Sequence, residues 1–138
     1  MSSKPTYTSS SRAKSGFRAD LGLYVRSRWE ANYARYLNWL KAKGHITGWA
    51  YEPDTFWFEA IKRGTRSYTP DFKVTENDGR VVYHEVKGWM DAKSATKLKR
   101  MAKYYPDVAI VVIDRASYNA IRKWRQLIPD WEEGEDES

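Results

Sequence analysis

From Ser27 to Lys43 the apolar residues Trp29, Tyr33, Tyr36, Leu37 and Leu40 recur at helical spacing, and Gly44 supplies a stop. Thr47 to Glu52 and Thr55 to Glu59 read as two aromatic-rich strands around a Pro53-Asp54 turn; their rings pack the sheet against the first helix, or in part stack on unpaired bases. Ser67 to Thr75 reads as a further strand. The turn signal Glu76-Asn77-Asp78-Gly79 then joins it in a hairpin to Val81–Val86, which is apolar enough outside its charges to be a central strand. Asp91 to Tyr104 is a helix with Asp91 or Ser94 near its start, and its apolar face is Leu98, Met101, Ala102 and Tyr105. Val108 to Ile113 suits a buried strand, and Ala116 to Leu127 a last helix with Ile121, Trp124 and Ile128 facing inward. The expected fold is α/β: a helix, a mixed sheet of about four or five strands, a helix, a strand and a final helix.

Charged residues in a central strand need a reason to be there. Glu85 and Lys87, two apart, share one face while Val86 points the other way, and the hairpin brings the Asp71 region alongside them. Two acidic oxygen donors suit a hard divalent cation, and a neighbouring ammonium suits a hydrolytic water. Pro70-Asp71 alone carries no weight, because Pro-Asp recurs at Pro53-Asp54, Pro106-Asp107 and Pro129-Asp130 as turn chemistry. Glu-x-Lys occurs only at Glu85 to Lys87. Taken alone, that pair also reads as a solvated cross-strand charge pair. Glu30, at the edge of the first helix's apolar stripe, points partly inward; Ser27-x-x-Glu30 is equally a capping box, so Glu30 reads either as a cap or as a third acid. A strand histidine such as His84 is packed or solvent-facing.

Glu30 on an early helix, Pro70-Asp71 on one strand and Glu85-Val86-Lys87 on the next resemble the PD-(D/E)xK nuclease superfamily, in particular its small phage nucleases and Holliday-junction resolvases. The resemblance covers roughly residues 24–115. It implies a restriction-endonuclease-like core and a Mg²⁺-dependent (or Mn²⁺-dependent) endodeoxyribonuclease, a hydrolase of DNA repair or recombination. Asp71 and Glu85 would be the central metal ligands, with the Val86 carbonyl as a further one. Glu30 would assist metal binding, and Lys87 would position or activate the water. Four-way junctions are the substrate it favours, and two symmetric cuts call for a homodimer. Other readings are a duplex or flap nuclease of the same fold, and a non-catalytic DNA-binding or packaging protein.

A chain of 138 residues with 41% hydrophobic content supports one domain with a real core. The expected division is a flexible basic arm over 1–20, a folded body over 21–130 and an acidic disordered tail over 131–138. The body carries 20 basic against 12 acidic residues, which suggests a polyanionic partner such as DNA. Lys93, Lys97, Arg100 and Lys103 fall close to one face of their helix, either a solvated face or a DNA contact. The arm would wrap the DNA backbone, and the tail would either solubilise the protein or shield its basic face. The absence of cysteine excludes disulfides and thiolate zinc sites. No apolar run approaches the roughly 20 residues of a membrane span, and the N-terminus lacks a signal-peptide core, so a cytoplasmic protein is expected, in the host cytoplasm if phage-encoded.

Overall fold

A computed structural model describes residues 15–134. A small hairpin, β1 (Gly16–Arg18) and β2 (Leu23–Val25), precedes helix α1 (Arg28–Ala42). Strand β3 (Ile46–Tyr51) follows, then the short β4 (Phe56–Trp57) and β5 (Ser67–Tyr68), the hairpin β6 (Phe72–Glu76) and β7 (Val81–Val86), α2 (Ala92–Tyr104), β8 (Ala109–Ile113) and α3 (Arg115–Arg122). The main sheet runs β3-β6-β7-β8; its first three strands are antiparallel and β8 lies parallel to β7, making a mixed four-stranded sheet flanked by helices.

Local chemistry explains the boundaries. Ser27 caps α1 in extended geometry, its Oγ accepting from Glu30 N–H at 3.1 Å. At the other end Gly44 takes φ 79°, its N–H reaching Lys41 O at 3.0 Å while His45 N–H reaches Leu40 O at 2.8 Å. This is the paired closure that a left-handed residue after the helix permits. Gly79, at φ 89°, closes the β6–β7 turn, with its N–H on Glu76 O at 2.9 Å. Asp91 caps α2 through Ser94 N–H at 2.7 Å.

Because side chains alternate along a strand, the sheet has a core on each face. Val82, His84 and Val86 of β7 face α1 and α3, where Trp29, Tyr33, Leu37, Phe72, Val74, Ile113 and Tyr118 are buried together. Phe72, fully buried, has the rings of Tyr33, Trp49 and Tyr51 at 5.4, 5.7 and 5.4 Å, contacts each worth about 0.5–1.5 kcal/mol beyond burial. The opposite face packs Phe58, Tyr68 and Met101 with Phe56, Leu98 and Tyr105 under α2. His84 is a packed residue, with Tyr33 Oη 2.6 Å from its Nδ1 and its pKa lowered by burial.

Several boundaries differ from the expected ones. Ser67 to Thr75 is two strands in two sheets, because Pro70 has no N–H to continue a ladder; β5 pairs with β4, so the strands on either side of Pro53-Asp54 do not form a hairpin with each other. β8 is an edge strand with Val111 44% exposed, not a buried one. On α2, Ala102 is exposed. α3 ends at Arg122 and gives way to a 3₁₀ turn at Arg125–Leu127, whose tighter winding leaves Trp124 exposed while Ile128 stays buried. The folded part also passes the expected limits of 21–130 on both sides. Arg35, buried in α1, grips Asp20 with two bonds of 2.9 Å and Glu132 with one of 3.0 Å; Arg18 pairs with the same glutamate, and Trp131 packs on the core. Residues 18–20 and 131–132 therefore belong to the fold. Most of the expected arm and the last four residues of the tail lie outside the described residues. Among the described residues no helix is long and apolar enough to cross a membrane.

Candidate active site

The β6–β7 ladder runs from Thr75↔Val81 to Phe72↔His84 and stops there, while β7 continues for two residues. Asp71 fills the gap. Its Oδ2 accepts from Val86 N–H at 2.8 Å, just past the last paired residues of the ladder. Its own N–H points to Glu85 Oε1 at 3.3 Å, and its carbonyl accepts from Glu52 N–H at 2.8 Å. Glu85 Oε1 also accepts from the buried Tyr68 phenol at 2.8 Å, leaving Oε2 outside these bonds. Val86 thus enters the cluster through its N–H.

Glu30 arrives from the first turn of α1. Its Oε1 accepts from Arg26 N–H at 3.1 Å and from Tyr51 Oη at 2.7 Å, so it braces the helix start against β3. The same carboxylate stays close enough to Asp71 to oppose its ionisation. Glu30 thus takes the N–H one residue before the Ser27 cap and stands beside Asp71.

Two participants escaped the sequence reading. The register Tyr51↔Phe72 sets Glu52 opposite Asp71, and Glu52 adopts φ 49°, a left-handed conformation uncommon for a residue with a side chain. Its carboxylate is ion-paired with Arg26, whose Nη1 also lies 3.8 Å from Glu30 Oε2 and 3.8 Å from Asp71 Oδ1. The β3–β6 register is the signal that would have found Glu52; the adjoining Pro53-Asp54 read only as a turn.

The electrostatics follow from this crowding. Burial, then the charges of Glu85 and Glu30, push the Asp71 carboxyl up to about 8, against the Val86 N–H bond and Arg26. Burial also raises Glu85, opposed by its bonds from Tyr68 and Asp71 N–H and by the charges of Lys87 and Lys97. Tyr68 is raised in turn, by burial and by Glu85, so it remains a hydrogen-bond donor. Lys87 shares the Glu85 face but leans outward, with Nζ 4.0 Å from Asp91 Oδ2.

The chain belongs to the DUF1064 family, described as a protein of unknown function. Its profile matches residues 18–120 and so spans every DUF1064 residue of this cluster, from Arg26 to Lys87, together with α2 and β8. No curated protein matches the chain.

Among the described residues of this DUF1064 protein, no three acidic or histidine side chains close into a metal cage. The pair Asp71 and Glu85 still fits a small hard cation, since Mg²⁺ is commonly held by one or two carboxylates and keeps several waters. Asp71 Oδ1 and Glu85 Oε2 are the oxygens not already engaged by N–H or O–H donors. Of the basic residues on α2, Lys93 and Lys97 line a groove with Arg66, Arg100 is turned to the Thr65 carbonyl, and Lys103 lies 5.2 Å over the Tyr104 ring.

Proposed function

We propose that this protein is a Mg²⁺-dependent (or Mn²⁺-dependent) endodeoxyribonuclease of the PD-(D/E)xK type acting on branched DNA, with four-way junctions the favoured substrate and a homodimer the working form. The observation that carries the reading is the meeting of Asp71 and Glu85 at the end of the β6–β7 ladder, both held by donors and both raised toward protonation. Buried like charges of that kind are unfavourable until a cation joins them. Asp71 and Glu85 would hold the ion, and Glu30, with Glu52, would add negative charge around it. A divalent cation, when bound, supplies stabilisation of the charge that builds on a phosphodiester under attack. Tyr68 and Val86 N–H fix the two carboxylates, and Lys87, on the Glu85 face, orients the attacking water. The same reading implies work in the cytoplasm, that of the host if phage-encoded.

The second reading, a DNA-binding accessory protein without catalysis, is favoured by Arg26, which already answers part of the acidic charge. Incubating the protein with a labelled four-way junction, matched duplex and single strand, with and without Mg²⁺, separates the cases. Metal-dependent symmetric nicking of the junction alone is the expected result. Cutting of all three substrates would make it a general nuclease, and tight binding without cutting in Mg²⁺ or Mn²⁺ would leave the accessory protein.

A further inference from the structure

Beside the carboxylates, a groove runs between the β4–β5 ladder and α2, lined by Trp57, the Gly64-Thr65 turn, Arg66, Ser67, Lys93 and Lys97. Its charged side chains are all cationic. Trp57 is 54% exposed, although Phe58 beside it is buried and Phe56 packs on Tyr83 and Tyr105 at 5.4 and 5.1 Å. An exposed indole on a floppy loop would mean little. This one stands on fixed backbone: Trp57 pairs with Ser67 across the ladder, and its carbonyl accepts from Tyr105 Oη at 2.6 Å. The facing turn is held as well, because Arg100 donates to Thr65 O and so fastens it to α2. The groove adjoins the acids, since Ser67 in its wall precedes Tyr68, whose phenol donates to Glu85 Oε1.

We propose that this groove takes an unpaired DNA strand, with the Trp57 indole as the stacking platform for one base and Arg66, Lys93 and Lys97 following its phosphates. It rests on the nuclease reading only for where the strand leads, and among branched DNA it favours molecules whose bases stand unpaired at the branch point. In a duplex the base faces are covered by their neighbours and cannot reach a fixed indole, whereas every unpaired base offers one. Loss of a stacked base by truncation to alanine weakens binding about 5- to 150-fold.

The test is fluorescence anisotropy of a labelled oligothymidylate and of a duplex of equal length, titrated with the whole protein in EDTA, where no cutting complicates binding. Trp57→Ala should weaken the single strand by about fivefold or more and leave the duplex within about twofold, while Trp57→Phe keeps most of the affinity. Lys93→Gln with Lys97→Gln should weaken both ligands and flatten their salt dependence. The proposal is overturned if Trp57→Ala, with a parental melting curve, binds the single strand like the parent or loses both ligands equally. Trp57-dependent binding with no cleavage of any substrate would remove the nuclease reading and keep the groove. Cleavage with Trp57-independent binding would do the reverse.

Discussion

Two clusters of charge are built from the same residue types and shift carboxyl groups in opposite directions. In one, Arg35 and Arg18 hold Asp20 and Glu132. The bonds from Arg35 keep Asp20 below the usual carboxylate range; Glu132 is also lowered, burial pushing it up but the bonds from Arg18 and Arg35 winning. In the other, Glu30, Glu52 and Asp71 share Arg26, and Asp71 and Glu85 are raised. Burial comes first, since the Asp71 side chain is almost wholly enclosed while Asp20 keeps 27% of its own exposed, and geometry adds to it. Arg35 meets Asp20 as a two-pronged fork, whereas Arg26 approaches Asp71 only to 3.8 Å and keeps 62% of its side chain in solvent. The first cluster is complete as it stands and ties both ends of the described chain to α1. The second is short of positive charge, and under the proposed reading a bound cation would supply it.

Removing a member should therefore damage different properties in the two places. Under the proposed nuclease reading, Asp71→Ala or Glu85→Ala should lower cleavage by about a thousandfold or more while DNA binding holds or tightens, because negative charge facing phosphate is lost. Lys87→Ala should depress turnover comparably with cation binding retained. Single-turnover cleavage paired with calorimetry reads both, and activity surviving Glu85→Ala would reject the site. Arg35→Met should instead cost about 2–3 kcal/mol by urea unfolding and spare cleavage per folded molecule. The figure sits below that for a fully buried pair because Asp20 and Glu132 keep 27% and 30% side-chain exposure.

How far the sequence foretold these clusters depends on distance along the chain. Local rules carried the helix starts at Ser27 and Asp91 and the Asp78-Gly79 turn, each set by residues within about four positions. Period-two alternation likewise put Glu85 and Lys87 on one face. Glu132 was read from the composition of its neighbours as part of a disordered tail, yet its partners are Arg18 and Arg35, 114 and 97 residues away. Glu52 was missed because its role exists only through the β3–β6 register. The strand break at Pro70 was legible in principle, since a proline cannot donate to a ladder. That break is what frees Asp71 to turn its carboxylate toward Val86.

Acidity sharpens the contrast further. Asp71 is raised in the folded state, so between its ordinary value near 3.8 and about 8 the folded protein holds a proton that the unfolded chain has released. Cation-free stability should accordingly fall as pH rises through that window. Asp20 and Glu132, being lowered, act oppositely and lose their contribution only as pH falls into the acid range. Asp71→Asn keeps an acceptor for Val86 N–H without the charge. It should melt about 3–8 °C above the parent at pH 8 in EDTA, with the gain vanishing near pH 4. A variant that melts lower at pH 8 would show that Asp71 is not the uncomfortable group. Added Mn²⁺ should stabilise the parent more at pH 8 than at pH 6, because the ion binds the deprotonated carboxylate.

Arg26 offers the smallest and most pointed effect. Its guanidinium stands where an incoming cation would feel it, 3.8 Å from Asp71 Oδ1, so replacing it should favour the ion. At about 4 Å, with solvent on one side, unit charges interact by about 1–4 kcal/mol, and the exposure of Arg26 argues for the low end. Arg26→Gln should then tighten Mn²⁺ binding about fivefold by calorimetry. The measurement belongs at pH 8.5 or above, because losing Arg26 also removes one of the influences that lower Asp71, and a proton would otherwise compete more strongly for the same oxygen. Unchanged affinity with reduced turnover would recast Arg26 as a contact to the substrate phosphate. Weakened affinity would mean that Arg26 holds the acids in place for the ion, and that the two clusters are more alike than their acidities indicate.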